Sequence, residues 1–494
     1  MIKSSSQAVP PRFVRLGTSA VLISVLSACA NYAGIHSDHQ MAQPQAYETS
    51  QSLDSGSGNW PAPDWADQFG DPQLHALLDE ALKGNPSLDQ ARARVAAAAA
   101  YTETAKANNL PNVGASYSFS REQFSGTAAV PPPFGGSWQS ENVATVNASY
   151  DLDLWGKNRQ ALKASVSQLQ ASRADAEEVK LTLTTSVTRT YNQLARLFAL
   201  RDIAAAEVAR REDIDRITAQ RIASGLDTEV ERKTAQANLA TSRSNLSSLD
   251  GQITSTRYQL AALLGAGPDR GLSIARPTLG VGDEVRLPDN LPADLVSRRP
   301  DLVAARWRVD SMTHDIKVAK AEFYPDVNLS AAIGLDAFGF GRLLTAASRT
   351  ASAGPAIHLP IFDGGALRAQ LKGRYADFDN AVATYNQTLV SALSDVATQL
   401  AQVRSTDTQL VDAQQAQQAS RRADELALKQ YAAGLTNQLT VLNSDVTALQ
   451  ADQAVASLRM NRRDQQIALA AALGGGYSEE ASANAALANI EPKN

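Results

Sequence analysis

The residues that could do chemistry are few. Among 494 residues there are five histidines and one cysteine. His36, His39, His75, His314 and His358 are scattered along the chain, and none falls in an HExxH or comparable metal-binding spacing. There is no glycine-rich phosphate loop and no nucleophile elbow. A lone thiol excludes an internal disulfide and any cysteine-rich zinc or iron–sulfur centre. The expectation is a protein without catalysis, metal or diffusible cofactor. A formal charge of −5 argues against a nucleic-acid partner. What remains is Cys29, whose available chemistry is covalent modification of its sulfur.

Its surroundings say which modification. Residues 1–15 carry Lys3, Arg12 and Arg15 and no acid, and Leu16 to Leu26 is an apolar stretch ending Leu26-Ser27-Ala28-Cys29. A basic start, a short apolar run and small residues at the cut make a secretory signal, too short to span a bilayer. A cysteine at that point resembles the bacterial lipobox. The resemblance implies a signal peptide 1–28 and a mature chain starting at Cys29, which carries S-diacylglycerol and an N-acyl group. Ala30 beside it implies delivery to the outer membrane. Losing Lys3, Arg12 and Arg15 leaves 43 basic and 51 acidic residues, net −8. Polar residues 29–59 read as a flexible lipidated tether, and 477–494 as a polar tail.

The elements behind these residues are long. None of the 20 prolines lies between Pro133 and Pro268 or between Pro360 and Pro492, and proline breaks helix interiors. The chain is also a duplication. Asn85-Pro86-Ser87-Leu88 aligns with Arg299-Pro300-Asp301-Leu302 at an offset of 214, and Gly225-Leu226 with Gly434-Leu435 at 209. Repeat 1 covers 60–267 and repeat 2 covers 299–476, joined by a Gly/Pro-rich stretch 268–298. Each repeat reads as a helix, two strands and a long helical hairpin.

The strands, expected at 112–124, 142–154, 326–336 and 351–361, alternate with period two. Val113, Ala115, Tyr117 and Phe119 alternate with Gly and Ser, and Val327, Leu329, Ala331 and Ile333 with Asn, Ser and Ala. Such segments fit a soluble half-buried sheet or a membrane barrel with lipid outside and water inside. Their length and small uncharged polar set favour the barrel. Four strands cannot close one, and open edges are forbidden in lipid, so several chains must contribute. The number is not fixed by the sequence. The helices, expected at 158–223, 227–264, 366–432 and 436–473, carry apolar residues in steps of three and four. The longer ones reach roughly 100 Å at ~1.5 Å per residue.

Together these segments resemble the TolC-type outer-membrane factors of bacterial efflux pumps, most closely the lipoprotein, NodT/OprM-like branch. The match runs over about residues 60–476. It rests on Phe69-Gly70-Asp71-Pro72-Gln73-Leu74, the Asn85 and Arg299 motifs, Leu291-Pro292-Ala293-Asp294-Leu295, Phe323-Tyr324-Pro325, Leu359-Pro360-Ile361-Phe362-Asp363-Gly364-Gly365 and the two Gly-Leu turns. The fold so implied is mainly α with membrane β: a homotrimer with a twelve-stranded β-barrel and a long periplasmic α-helical barrel. The implied partners are a periplasmic membrane-fusion adaptor and an inner-membrane efflux transporter of the RND type, besides outer-membrane lipid.

The resemblance also assigns roles by position. Gly225, Leu226, Gly434 and Leu435 form hairpin tips where the adaptor would dock. Glu231, Tyr431, Leu439 and Asn443 stand where a periplasmic gate would be, with Asn443 in place of a frequent Asp. Asp445, two residues further on, need not face the pore, and Thr436 replaces a locking Arg. The implied function is a passive exit duct for small toxic compounds. Its rivals fit less well: an adhesive stalk needs no barrel strands, and a general porin no helical hairpins.

Overall fold

The computed structural model describes residues 32–49, 51–53, 58–127, 131, 133–280, 287–288 and 291–480. Cys29 and the expected signal peptide lie outside the described residues. The elements run α1 (Pro72–Gly84), α2 (Pro86–Ala107), β1 (Asn112–Gln123), β2 (Trp138–Asp151), α3 (Lys157–Ala223), α4 (Glu229–Leu263), α5 (Pro268–Leu272), α6 (Leu291–Arg298), α7 (Pro300–Ala321), β3 (Asp326–Phe338), β4 (Arg349–His358), α8 (Ala366–Ala432) and α9 (Gln438–Ala472). The duplication holds to the residue: α2 and α7 each have 22 residues, α3 and α8 each 67, α4 and α9 each 35. No helix among the described residues is long and apolar enough to cross a membrane.

The chain forms two compact units. The first takes its described residues from 1–41, 96–171 and 305–385, and the second from 42–95, 172–304 and 386–494.

The first unit carries an antiparallel sheet of order β1-β2-β3-β4. Its register puts like with like. Val113, Ala148, Ala331 and Ala353 form one row across it, and Ala115, Val146, Ile333 and Ala351 the next on the same face. The opposite face has the rows Asn112, Ser149, Ser330, Gly354 and Ser116, Thr145, Gly334, Thr350. Val113, Tyr117, Phe119, Val146, Ile333 and Ile357 are all exposed, although burying a large apolar side chain is worth about 1.5–3 kcal/mol. Among the described residues, the outer edges of β1 and β4 have no partner strand.

The strand ends differ from expectation. β2 begins at Trp138 and ends at Asp151, not at 142 and 154. Asp153 adopts a left-handed φ of 44°, and its carboxylate accepts from the Asn158 and Arg159 amides, both at 3.0 Å. The residue is spent on starting α3. β4 stops at His358 rather than 361, and Asp363 caps α8 through the Gly365 and Leu367 amides at 2.9 and 2.6 Å.

The expected free tether 29–59 is also corrected over residues 32–37. Ile35 is buried with Ile316, Ala319, Phe323 and Leu371, Tyr32 stands edge-on to Phe323 at 5.5 Å, and the Ser37 hydroxyl donates to Asp379. A few apolar and aromatic side chains suffice to pin an otherwise polar segment. In the second unit, the Gly/Pro-rich inter-repeat stretch holds two short helices, α5 and α6.

The core of the second unit packs α1 against α3, α4 and α9 through Phe69, Leu74, Leu77, Val187, Leu194, Leu260 and Ile467. Asp71 caps α1, accepting from the Gln73 amide at 3.0 Å, the Tyr191 hydroxyl at 2.8 Å and the Thr278 amide at 2.7 Å. That explains the Phe69-Gly70-Asp71-Pro72 signature: a capping carboxylate before a first-turn proline. The paired Asn85 and Arg299 motifs have a common cause as well. Asn85 donates to the Leu263 carbonyl at 2.7 Å and Arg299 to the Ala472 carbonyl at 3.1 Å. Each repeat thereby satisfies an orphan carbonyl at the end of its own hairpin.

Candidate functional site

Each hairpin turns at a glycine. The Leu226 amide donates to the Arg221 carbonyl and Leu435 to Gln430, both at 2.9 Å, while Gly225 and Gly434 bond back to Ile222 and Tyr431. This paired pattern closes a helix on a left-handed residue, and Gly225 and Gly434 have φ of 71° and 77°. Leu226 and Leu435 are left exposed at the tips. The following helices start on side-chain caps. Thr228 and Glu231 form a reciprocal capping box for α4, and Asn437 accepts from the Thr440 amide at 3.1 Å for α9.

Behind the tips the hairpins are joined by a small core of Ile214, Ala235, Ala427, Tyr431 and Val441. Tyr431, at 0% exposure, is its polar centre. Its hydroxyl donates to Asp227 Oδ2 at 2.6 Å and lies 3.1 Å from Thr218 Oγ1. Arg221 grips the same Asp227 with two nitrogens at 2.8 and 3.0 Å, bonds the Tyr431 carbonyl at 3.0 Å and stacks 4.4 Å over its ring. The guanidinium holds the Asp227 carboxyl below its usual range, while burial, then Asp227, raises the Tyr431 phenol. The clamp ties the turn after α3 to the end of α8, that is, one repeat to the other.

The sequence-assigned residues divide around this clamp. Tyr431 is in it, with Asp227 and Arg221, two residues that sequence reasoning missed. Their signal was an Arg four residues before Gly225 and an Asp two residues after it. Glu231 accepts from the Thr228 hydroxyl and from the Thr228 amide, the latter 2.8 Å away, and the hydroxyl bond above all holds its carboxyl below the usual range. Leu439, 63% exposed, and exposed Asn443 lie one turn apart on one face of α9. Asp445 is 0% exposed and turned into the protein, and Thr436 is half-buried.

A second group missed from the sequence lies further from the tips. Glu207, Arg210 and Arg211 of α3 meet Asp424 of α8 and Asp445 of α9. Charges on helix faces are usually solvated, and only the folded packing reveals these as interior. No group of three or more His, Cys, Asp or Glu able to hold a metal occurs among the described residues.

The comparisons with known proteins agree with this architecture. The family model described as outer membrane efflux protein matches residues 77–266 and 291–475, one stretch per repeat. The chain is 36% identical over 362 residues to the fusaric acid resistance protein FusA of Burkholderia cepacia, covering 71% of this chain and 68% of that one. It is 30% identical to the multidrug resistance outer membrane protein MdtP of Shigella flexneri, covering 92% of this chain and 94% of the relative. The crystal structure of the outer membrane protein VceC from Vibrio cholerae superposes with a TM-score of 0.80 at 34% identity, over 85% of this chain and all of that one. With its duplicated hairpins, its four-stranded sheet and its two matched stretches, the chain belongs to the outer membrane efflux protein family.

Proposed function

We infer that this chain is the outer-membrane exit duct of a tripartite efflux pump, passively releasing small toxic compounds to the exterior. The observation that carries the reading is the sheet. One face is apolar and exposed, the other is small, polar and uncharged over its middle rows, and both edges lack partners among the described residues. Such a sheet suits lipid on one side and a water-filled lumen on the other, once neighbouring copies close the edges. Three chains give twelve strands and a lumen wide enough for a solute, whereas two give eight and an interior filled by side chains.

In this reading, energy comes from an inner-membrane transporter of the RND type, reached through a periplasmic adaptor that docks on the tips at Gly225, Leu226, Gly434 and Leu435. The chain itself performs no chemistry. Leu439 and Asn443 line the narrowest part of the helical tunnel, and the Tyr431 clamp holds that part closed at rest. Glu231 contributes through its cap, by fixing the start of α4. The lipid on Cys29 anchors the mature chain to the outer membrane. That FusA is a fusaric acid resistance protein and MdtP a multidrug resistance protein supports small toxic compounds as the cargo.

The test is a deletion in the host, complemented by the wild-type chain, screened against a panel of aromatic acids, dyes and antibiotics. Sensitisation to at least one compound, reversed by complementation, is expected. Unchanged sensitivity to all of them, with no conducting pore in planar bilayers even from a Tyr431→Phe variant, would overturn the reading.

A further inference from the structure

The charged cluster behind the tips is unbalanced. Arg210 Nη1 contacts Asp424 Oδ2 at 2.6 Å and Asp445 Oδ1 at 2.8 Å. Arg211 pairs with Glu207 through Nε and with Asp445 through Nη2. Asp445 therefore sits between two guanidinium groups, and the Ser444 hydroxyl adds a bond to Asp424 at 3.2 Å. Four of the five side chains are buried, and Arg210 is 31% exposed. Three carboxylates face two guanidiniums. Fully ionised, the group holds one uncompensated negative charge in a place that water hardly reaches, which is costly.

The surrounding charges do not correct the excess. On α3 the carboxylates that follow toward the tip are Glu212, Asp213 and Asp215: Asp213 is taken by Arg216 at 2.7 Å, and Asp215 Oδ1 is buried without a hydrogen-bond partner. From α4, Arg243 is taken by Glu212 at 2.7 Å. From α8, Arg421 is taken by Asp452 of α9 at 2.6 Å. Arg216, Arg243 and Arg421 are thus each already paired, and Arg211 Nη1 is buried without a hydrogen-bond acceptor among the described residues.

We propose that these five residues form a proton-operated latch between the two hairpins, in which one proton on Glu207 balances the buried charge and fastens α3 to α8 and α9. Glu207 is the site because it is buried against Asp445 and pairs directly with Arg211 alone among these residues, while Arg210 makes its close contacts with Asp424 and Asp445. Burial, then Asp445, pushes its carboxyl up to about 7. The sign follows from linkage. The packed arrangement holds the proton more tightly than a separated one, where water restores an ordinary carboxylate. The stabilisation is present when the surroundings are acidic and is lost as pH rises through about 7. Between pH 5.5 and 7.5 the ratio of packed to separated hairpins shifts by at most about twentyfold.

The latch goes beyond the exit-duct reading and is tested without conduction. Spin labels on cysteines introduced at exposed Gln220 of α3 and Thr447 of α9 measure hairpin separation in full-length purified protein at pH 5.5 and 7.5. The wild-type background should show a wider or broader distance distribution at pH 7.5. Glu207→Gln and Asp424→Asn each remove one carboxylate, so each should hold the narrow distribution at both pH values. One folded variant is enough for this arm. A pH-independent wild-type distribution overturns the proposal, as does a variant that keeps the full pH response. If the distances respond but the protein forms no pore even with the clamp loosened by Tyr431→Phe, the latch stands and the duct reading fails.

Discussion

Tyr431→Phe isolates the contribution of one hydroxyl to the closure of the tips. The substitution keeps the ring among Ile214, Ala235, Ala427 and Val441 and keeps the Arg221 stacking at 4.4 Å. It deletes the donor to Asp227 at 2.6 Å and the contact with Thr218 at 3.1 Å. A hydrogen bond to a charged group contributes about 1.5–3 kcal/mol net. Asp227 keeps both Arg221 nitrogens, so a loss near the lower end, about 2 kcal/mol, is expected. If that bond exists only when the hairpins are together, the open-to-closed ratio rises about thirtyfold. Single-channel recordings of purified protein would show it as a higher open probability. Tyr191→Phe is the control, since it removes a similar bond, to Asp71 at 2.8 Å, in the α1 core. The clamp reasoning is refuted if the Tyr431 variant keeps the wild-type open probability, or if both variants open the channel equally.

Further outcomes are expected. The Asp227–Arg221 pair should hold from pH 8 down to 5, because the depressed Asp227 carboxyl loses its ion pair only as pH falls through a value below its ordinary ~3.9. Tip distances in a Glu207→Gln background, measured across that range, check this. Gly474→Ala should destabilise by about 3 kcal/mol or more: φ is 91° and an added Cβ would lie 1.9 Å from the Arg298 carbonyl oxygen. Thermal unfolding of the purified variant measures the loss. Cys29→Ala should abolish incorporation of labelled palmitate, and persisting label would remove the lipoprotein reading.

Much of the fold was legible because its signals are long and regular. Two proline-free intervals marked the hairpins, and period-two alternation marked all four strands. Element ends were less legible: Asp153 alternates like a strand residue yet caps α3, and the alternation of Ile357, Leu359 and Ile361 runs past His358, where β4 stops. The tips could be found from glycine, whose left-handed conformation leaves a sequence signature. The clamp and the buried cluster could not. Arg221, Asp227, Glu207 and Arg210 look like ordinary solvated charges until α3, α8 and α9 are brought together, and the pairs span more than 200 positions.

The sheet has a consequence for assembly. β2 and β4 are repeat equivalents, as are β3 and β1, so the internal β2–β3 seam is a copy of the seam that β4 would make with β1 of the next chain. Transferring the internal pairing Asn147↔Ala332 by the two repeat offsets places Ala356 opposite Ser118 of the neighbour. Both belong to the polar face, as closure requires. A ring of three chains would then carry six nearly equivalent seams, half covalent in origin and half not, with an approximate sixfold axis through the lumen. Cysteines at Ala356 and Ser118 should cross-link chains into covalent trimers. Cysteines at Ala356 and Phe119, one residue out of register and on opposite faces, should not.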